Sequence, residues 1–187
     1  MQEGELIQQP EQSNKTLDIK QNTVEKVMFR EKVLYLENEM KKRIASGEIE
    51  DKLGDCVVTH HFSPIDPAYG CCTYGRQMFI PKGTAIIGKI HRHQHLNFIM
   101  QGQVSVSTEF GKQYFTAPCV FVSETGLKRA VLAEEDTIWV TVHLTKHYGE
   151  EHLDKIEEEV IAPTYNELGL ISSVKELESI TFEGEQV

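Results

Sequence analysis

Apolar and polar positions change rhythm twice along this chain. Between Thr23 and Ala45, Phe29, Val33, Leu36 and Met40 recur at helical spacing, with Ile44 one turn further on. That period predicts a helix with one apolar stripe, broadened by Val27, Met28, Leu34 and Tyr35. Asn22, with Glu25 three residues later, reads as a capping box, and Ser46-Gly47 as a stop. From Cys72 the rhythm shortens to strands punctuated by Gly and Pro. It predicts strands over 73–80, 84–91, 97–100, 104–109, 113–117, 119–123, 128–133 and 137–144, with 56–62 a further candidate. The helical period then returns. Leu153, Ile156 and Val160 share one face of a helix over 150–161, and 168–171 and 174–180 predict a last short element.

The predicted order is a polar, poorly ordered tail over 1–21, an amphipathic helix over 22–47, a β-barrel over 48–146 and a helical C-terminal extension over 147–187. Eight consecutive strands with no helix between them fit a mainly β fold, a jelly roll, and exclude a parallel α/β sheet. The helical stripe would pack on its own domain or form the seam of a homodimer.

Composition narrows the function classes. The chain has 187 residues, 40% hydrophobic and 26% charged, as in a soluble globular domain. A formal net charge of −10 argues against nucleic-acid polymers and anionic membranes as partners, while leaving room for a local basic pocket. No apolar run approaches the roughly 20 residues of a membrane helix. The start carries no signal-peptide pattern, and Cys56, Cys71, Cys72 and Cys119 show no Cys-x-x-Cys spacing. Buried thiols in the cytoplasm are the expectation.

The candidate chemistry lies in one stretch. His91, His93 and His95 alternate, so in extended backbone they would converge on one face. Gathered imidazoles suit zinc, iron, nickel or copper. His143, in the last predicted strand, is a fourth candidate ligand. His60-His61 are neighbours on a strand and would face opposite ways. The acidic run Glu157-Glu158-Glu159 reads as a solvated face.

The stretch Lys82 to Val106 resembles the first motif of the cupin superfamily, with His91-Arg92-His93 as its His-x-His pair and Gly102 as its closing glycine. Glu124-Thr125-Gly126-Leu127-Lys128-Arg129 is similar to the second motif. Two registers fit. In one, His91 and His93 are the pair and the usual Glu falls on Asn97. In the other, counted back from Gly102, the Glu position falls on His95, its upstream His on His91, and the first His on Lys89. In both, the second-motif His is Arg129. The segment Lys82 to Leu144 is also similar to small cupin-domain proteins carried by bacteriophages.

The resemblance implies a single cupin-like double-stranded β-helix with helical extensions. It also implies a possible divalent metal (iron, zinc, nickel or manganese) and a dimer. Arg129, beside Lys128, either pairs with Glu134 or Glu135 at the surface or offers a guanidinium to a carboxylate or phosphate. With Lys89, Asn97, His95 and Trp139 it would line an anion pocket, walled by Tyr114 and Phe98. Three functions follow. One is a small-molecule-binding protein for an organic acid, sugar phosphate or nucleotide, able to sequester a signal. The second is a metal-dependent oxygenase or isomerase using His91, His93, His95 and His143. The third is an interaction protein with a vestigial cavity.

Overall fold

In a computed structural model, residues 11–184 are described for backbone and 24–179 for side chains. Helix α1 spans Glu11–Ala45, and eleven strands follow. They are β1 Val57–Phe62, β2 Cys72–Ile80, β3 Ala85–Ile87, β4 Ile90–His91, β5 His95–Gln101, β6 Gln103–Thr108, β7 Gly111–Thr116, β8 Cys119–Ser123, β9 Ala130–Ala133, β10 Thr137–Thr145 and, after helix α2 (Leu153–Val160), β11 Ile161–Ala162. Helix α3, Val174–Gly184, ends the described chain.

All strand pairs are antiparallel. A five-stranded sheet runs β1-β2-β10-β5-β8, a four-stranded sheet runs β3-β9-β6-β7, and β11 pairs with β4. The alternation read from the sequence sets which side chains fill the space between the sheets: Ile80, Ile99 and Trp139 from one, Val104, Val106 and Val131 from the other. The mainly β jelly roll with helical extensions is therefore the observed architecture. The predicted strand over 84–91 divides at Gly88 into β3 and β4, which pair with different partners. The stretch 168–171 is not a helix; a 3₁₀ turn over Asn166–Leu168 precedes it.

Helix α1 differs from its predicted form in two ways. It begins well before Asn22, so Asn22 and Glu25 lie inside it instead of capping it; residues 1–10 of the predicted tail lie outside the described residues. The buried face also departs from the Phe29-Val33-Leu36-Met40 stripe: Val33 is buried and Phe29 and Met40 are half-buried, but Leu36 is 42% exposed. Val27 and Arg30 are buried beside Val33, with Leu34 and Glu37 half-buried. This face carries two charges, which hid it from a hydrophobic count. Arg30 donates from Nε and Nη2 to both carboxylate oxygens of Glu109 at 2.7 and 2.9 Å, and from Nη1 to the Ile171 carbonyl at 3.1 Å. Lys128 Nζ lies 3.0 Å from Glu37 and donates to the Gly88 carbonyl at 2.7 Å. The helix is thus pinned to the loop that presents Arg129.

Gly102 links β5 to β6 at φ 78°, and a Cβ there would lie 2.3 Å from the Asp136 carbonyl oxygen. Left-handed backbone costs an L-residue about 1–2 kcal/mol before any clash. Gly102→Ala is therefore expected to destabilise by at least about 2 kcal/mol in urea unfolding. A loss below about 0.5 kcal/mol would show that the turn relaxes freely.

Candidate metal centre

The barrel positions three histidines from separate strands. His91 ends β4, His95 begins β5 and His143 sits in β10, one of the neighbours of β5. One nitrogen from each lies within 4.8 Å of the others. Ring centroids are 4.1 Å apart for His91 and His95, 4.5 Å for His95 and His143, and 5.1 Å for His91 and His143.

His93 does not join them. The backbone turns between β4 and β5, breaking the two-residue alternation, and the His93 side chain is exposed. Its carbonyl has a different part to play, because His95 Nδ1 lies 3.2 Å from it. A carbonyl oxygen only accepts, so Nδ1 carries the hydrogen and Nε2 is left with a bare lone pair. His95 Nε2 is buried with no hydrogen-bond partner, and so is His91 Nδ1. Burial holds all three imidazoles neutral. It lowers His91 to about 2, His95 to about 4 and His143 to about 3, with the neighbouring histidines adding repulsion at His91 and His143. Neutral imidazoles with unpartnered lone pairs fit a borderline divalent metal.

The cluster lies at the wall of a cavity of about 420 Å³ between the sheets, bordered by Arg76, Arg129, Trp139 and Thr141 as well as His91 and His143. Helix α2 contributes Leu153, Ile156 and Val160 to its lining. Arg129 is 8% exposed, and no carboxylate lies within ion-pairing distance among the described residues. The expected surface pairing with Glu134 or Glu135 is therefore not formed. Nη1 donates to Asn97 Oδ1 at 3.4 Å, Nη2 is buried without a partner, and the guanidinium lies over the Trp139 ring at 5.7 Å. Desolvation lowers its pKa to about 10, which still leaves it charged at neutral pH.

Asn97 is fully buried and organises this wall. Its Oδ1 accepts from Trp139 Nε1 at 3.0 Å, and its Nδ2 donates to Ser123 Oγ at 2.6 Å. Lys89, by contrast, is exposed at the cavity rim and paired with Glu157 at 2.5 Å, so the acidic run is not wholly solvated. Tyr114 is 62% exposed and Phe98 faces away from the cavity, so neither walls the pocket. His60 and His61 face opposite ways: His60 Nδ1 is 2.7 Å from the Tyr74 hydroxyl, and His61 is exposed. Arg76 and Tyr74 were missed as cavity residues, although both share the inward parity of β2 with Met78 and Ile80.

The four cysteines are free thiols; Cys72 is buried and the other three are half-buried. No described helix is long and apolar enough to cross a membrane.

No family model and no curated protein matches this chain. Among solved structures it is similar to ectoine synthase from P. lautus, at 14% identity over 55% of this chain and 72% of that one, with a TM-score of 0.41. It is also similar to a cupin superfamily protein from Desulfitobacterium hafniense DCB-2 (11% identity, 48% and 76% covered, TM-score 0.40). A third is KdgF from Halomonas sp. (16% identity, 48% and 90% covered, TM-score 0.35). By its own strand order and antiparallel pairing, the chain is a mainly β jelly roll with helical extensions.

Proposed function

We propose that the protein binds a small organic anion in its barrel, with a divalent transition metal held by His91, His95 and His143 and the anionic group held by Arg129. The observation that carries this reading is the His95 tautomer. Its Nδ1–H is committed to the His93 carbonyl, which leaves Nε2 buried and unpartnered in the same cluster as the equally unpartnered His91 Nδ1. Buried imidazole nitrogens without a partner are costly, and a cation bound by the cluster would satisfy them.

A bound metal would supply Lewis-acid chemistry or, if iron, redox chemistry. The chain's own residues do the rest. Arg129 orients a carboxylate or phosphate, Asn97 and Trp139 hold the guanidinium in place, and the apolar part of the lining limits water. An organic acid, a sugar phosphate and a nucleotide all carry the required charge. The departures from the cupin motifs agree with this division: Arg129 cannot ligate, but it replaces a ligand with an anion receptor. An unpaired guanidinium in a buried wall is costly, by several kcal/mol, until an anion joins it. The same feature favours a second reading, a metal-free anion binder. The four free cysteines support a cytoplasmic location.

The deciding experiment is elemental analysis of tag-free protein purified without chelators, then re-offered iron, zinc, nickel and manganese in turn. About one equivalent of one metal per chain is expected. Folded protein that holds less than a tenth of an equivalent of every metal would overturn the metal reading and leave the anion binder.

A further inference from the structure

One row of side chains inside the barrel carries more positive charge than its surroundings neutralise. Across the five-stranded sheet the register sets His60 beside Arg76, Arg76 beside Thr141, Thr141 beside Asn97 and Asn97 beside Phe121. Asn97 is fully buried, and residues in register share a face, so the whole row points into the barrel. Arg129 reaches this row from the opposite side. It precedes β9 of the four-stranded sheet, and its Nη1 donates to Asn97 Oδ1. Two guanidiniums therefore share the cavity of about 420 Å³. One is held at Asn97; the other, Arg76, is rooted two strands away, about 10 Å across the sheet. Two residues along the same strands, Tyr74 pairs with His143 of the histidine cluster.

Neither guanidinium has a carboxylate partner among the described residues, although the chain holds 29 acidic residues and a net charge of −10. The one hydrogen bond that the Arg76 side chain donates among these residues goes to Met78 Sδ at 3.6 Å, and a thioether is a weak acceptor. The single acidic side chain lining the cavity, Glu157, is already paired with Lys89. The lining supplied by the other sheet and α2 is mostly apolar, with Ile86, Val131, Leu153 and Ile156. Those four side chains offer nothing to a sugar hydroxyl and suit a run of methylenes.

We infer that the ligand has two acidic groups joined by a short aliphatic chain, one received by Arg129 and the other by Arg76. This rests on the anion-binding reading above and narrows it. A ligand with one acidic group leaves Arg76 without a counter-ion. A dicarboxylate satisfies both guanidiniums with charge-assisted hydrogen bonds and lays its methylenes against the apolar lining. Joining the two acids also makes the second contact intramolecular, so it adds affinity without a second association cost.

The test is isothermal titration calorimetry of the full chain at about pH 7.5, where both carboxylates are ionised. Succinate and glutarate are each titrated against their monoamides, succinamate and glutaramate, which have nearly the same size and one charge fewer. The better of the two dicarboxylates is expected to bind one per chain and at least tenfold tighter than its monoamide, about 1.4 kcal/mol. In Arg76→Gln that ratio is expected to fall to about twofold. If Arg76→Gln fails to fold by circular dichroism, Arg76→Met keeps an unbranched stem and has the same expected result. A parent that binds dicarboxylate and monoamide alike, with both lost in Arg129→Ala, leaves the anion site standing and overturns this inference. A tenfold preference that survives in a folded Arg76 variant overturns it too, because another group then reads the second charge. Two monoamides bound per chain would do the same by showing separate sites. If none of the four compounds binds but inorganic phosphate does, in a manner lost in Arg129→Ala, the inference falls and the anion-binding reading stands. If phosphate fails as well, both fall.

Discussion

His95→Ala is expected to lower the affinity of the protein for the proposed metal by about 100- to 1,000-fold, and His143→Ala to do the same. The expectation follows from sharing out a typical binding energy. Structural zinc sites with four ligands are worth about 10–16 kcal/mol, so one ligand accounts for roughly 2.5–4 kcal/mol, and each 1.4 kcal/mol is a factor of ten. The measurement is competition against a chromophoric chelator for metal-loaded protein, with folding checked by circular dichroism. His93→Ala is the discriminating control. The sequence places His93 in the ligand set, whereas its side chain is exposed and only its backbone carbonyl, which the substitution keeps, touches His95. It should change affinity by less than about threefold, as surface substitutions do. If His93→Ala proved as damaging as His95→Ala, the ligand set drawn from β4, β5 and β10 would be wrong.

That control marks the limit of what the sequence made legible. Strand alternation is a local rule, and it held where the backbone stayed extended: Asn97 and Trp139, expected at the pocket, are buried inside, while Phe98, one residue out of phase with Asn97, faces away. It failed at His93 because the chain turns between β4 and β5, which an alternating pattern of histidines does not announce. The two motif registers were indistinguishable by parity, since both keep the same residues on the same face. Only the distance between His91 and His95 favours the register counted back from Gly102. Helix α1 was found by its period, and Val27 and Val33 of its apolar surface are buried, but Leu36 is exposed and Arg30 takes a buried place. Arg30 and Glu37 are charges that pair with Glu109 and Lys128, 79 and 91 residues away. No count of hydrophobic residues along a helix can see a partner so distant in sequence. Arg129 shows the converse: the motif comparison singled it out as a departure, and the fold buried it without a counter-ion.

Asn97 is where fold and site are joined, and Asn97→Leu should be the most damaging single change in the barrel interior. Leucine shares the branched outline of asparagine but is larger, so it leaves no void and adds some overpacking to a cost that is mainly polar. Three groups lose a partner at once: the Trp139 indole N–H, the Arg129 guanidinium and the Ser123 hydroxyl. Each buried group left unsatisfied costs about 1–3 kcal/mol, more when it is charged. Because Ser123 can turn, the total should settle at about 3–5 kcal/mol, which for a domain of this size lowers Tm by roughly 10 °C or more. Differential scanning calorimetry reads this directly. Asn97→Asp separates the polar network from the anion site. It keeps an acceptor for Trp139 and supplies Arg129 with a carboxylate, so its Tm should stay within about 4 °C of the parent. That same carboxylate occupies the position of the ligand's charge. The upward Tm shift expected from inorganic phosphate or a small dicarboxylate, which reflects binding to the folded state alone, should therefore vanish in Asn97→Asp and in Arg129→Ala. A parent that these anions stabilise, together with an Asn97→Asp variant stabilised to the same degree, would show that the anion binds elsewhere and that Arg129 is structural. Loss of the shift in both variants, with folding intact, would establish that the guanidinium held by Asn97 is the receptor.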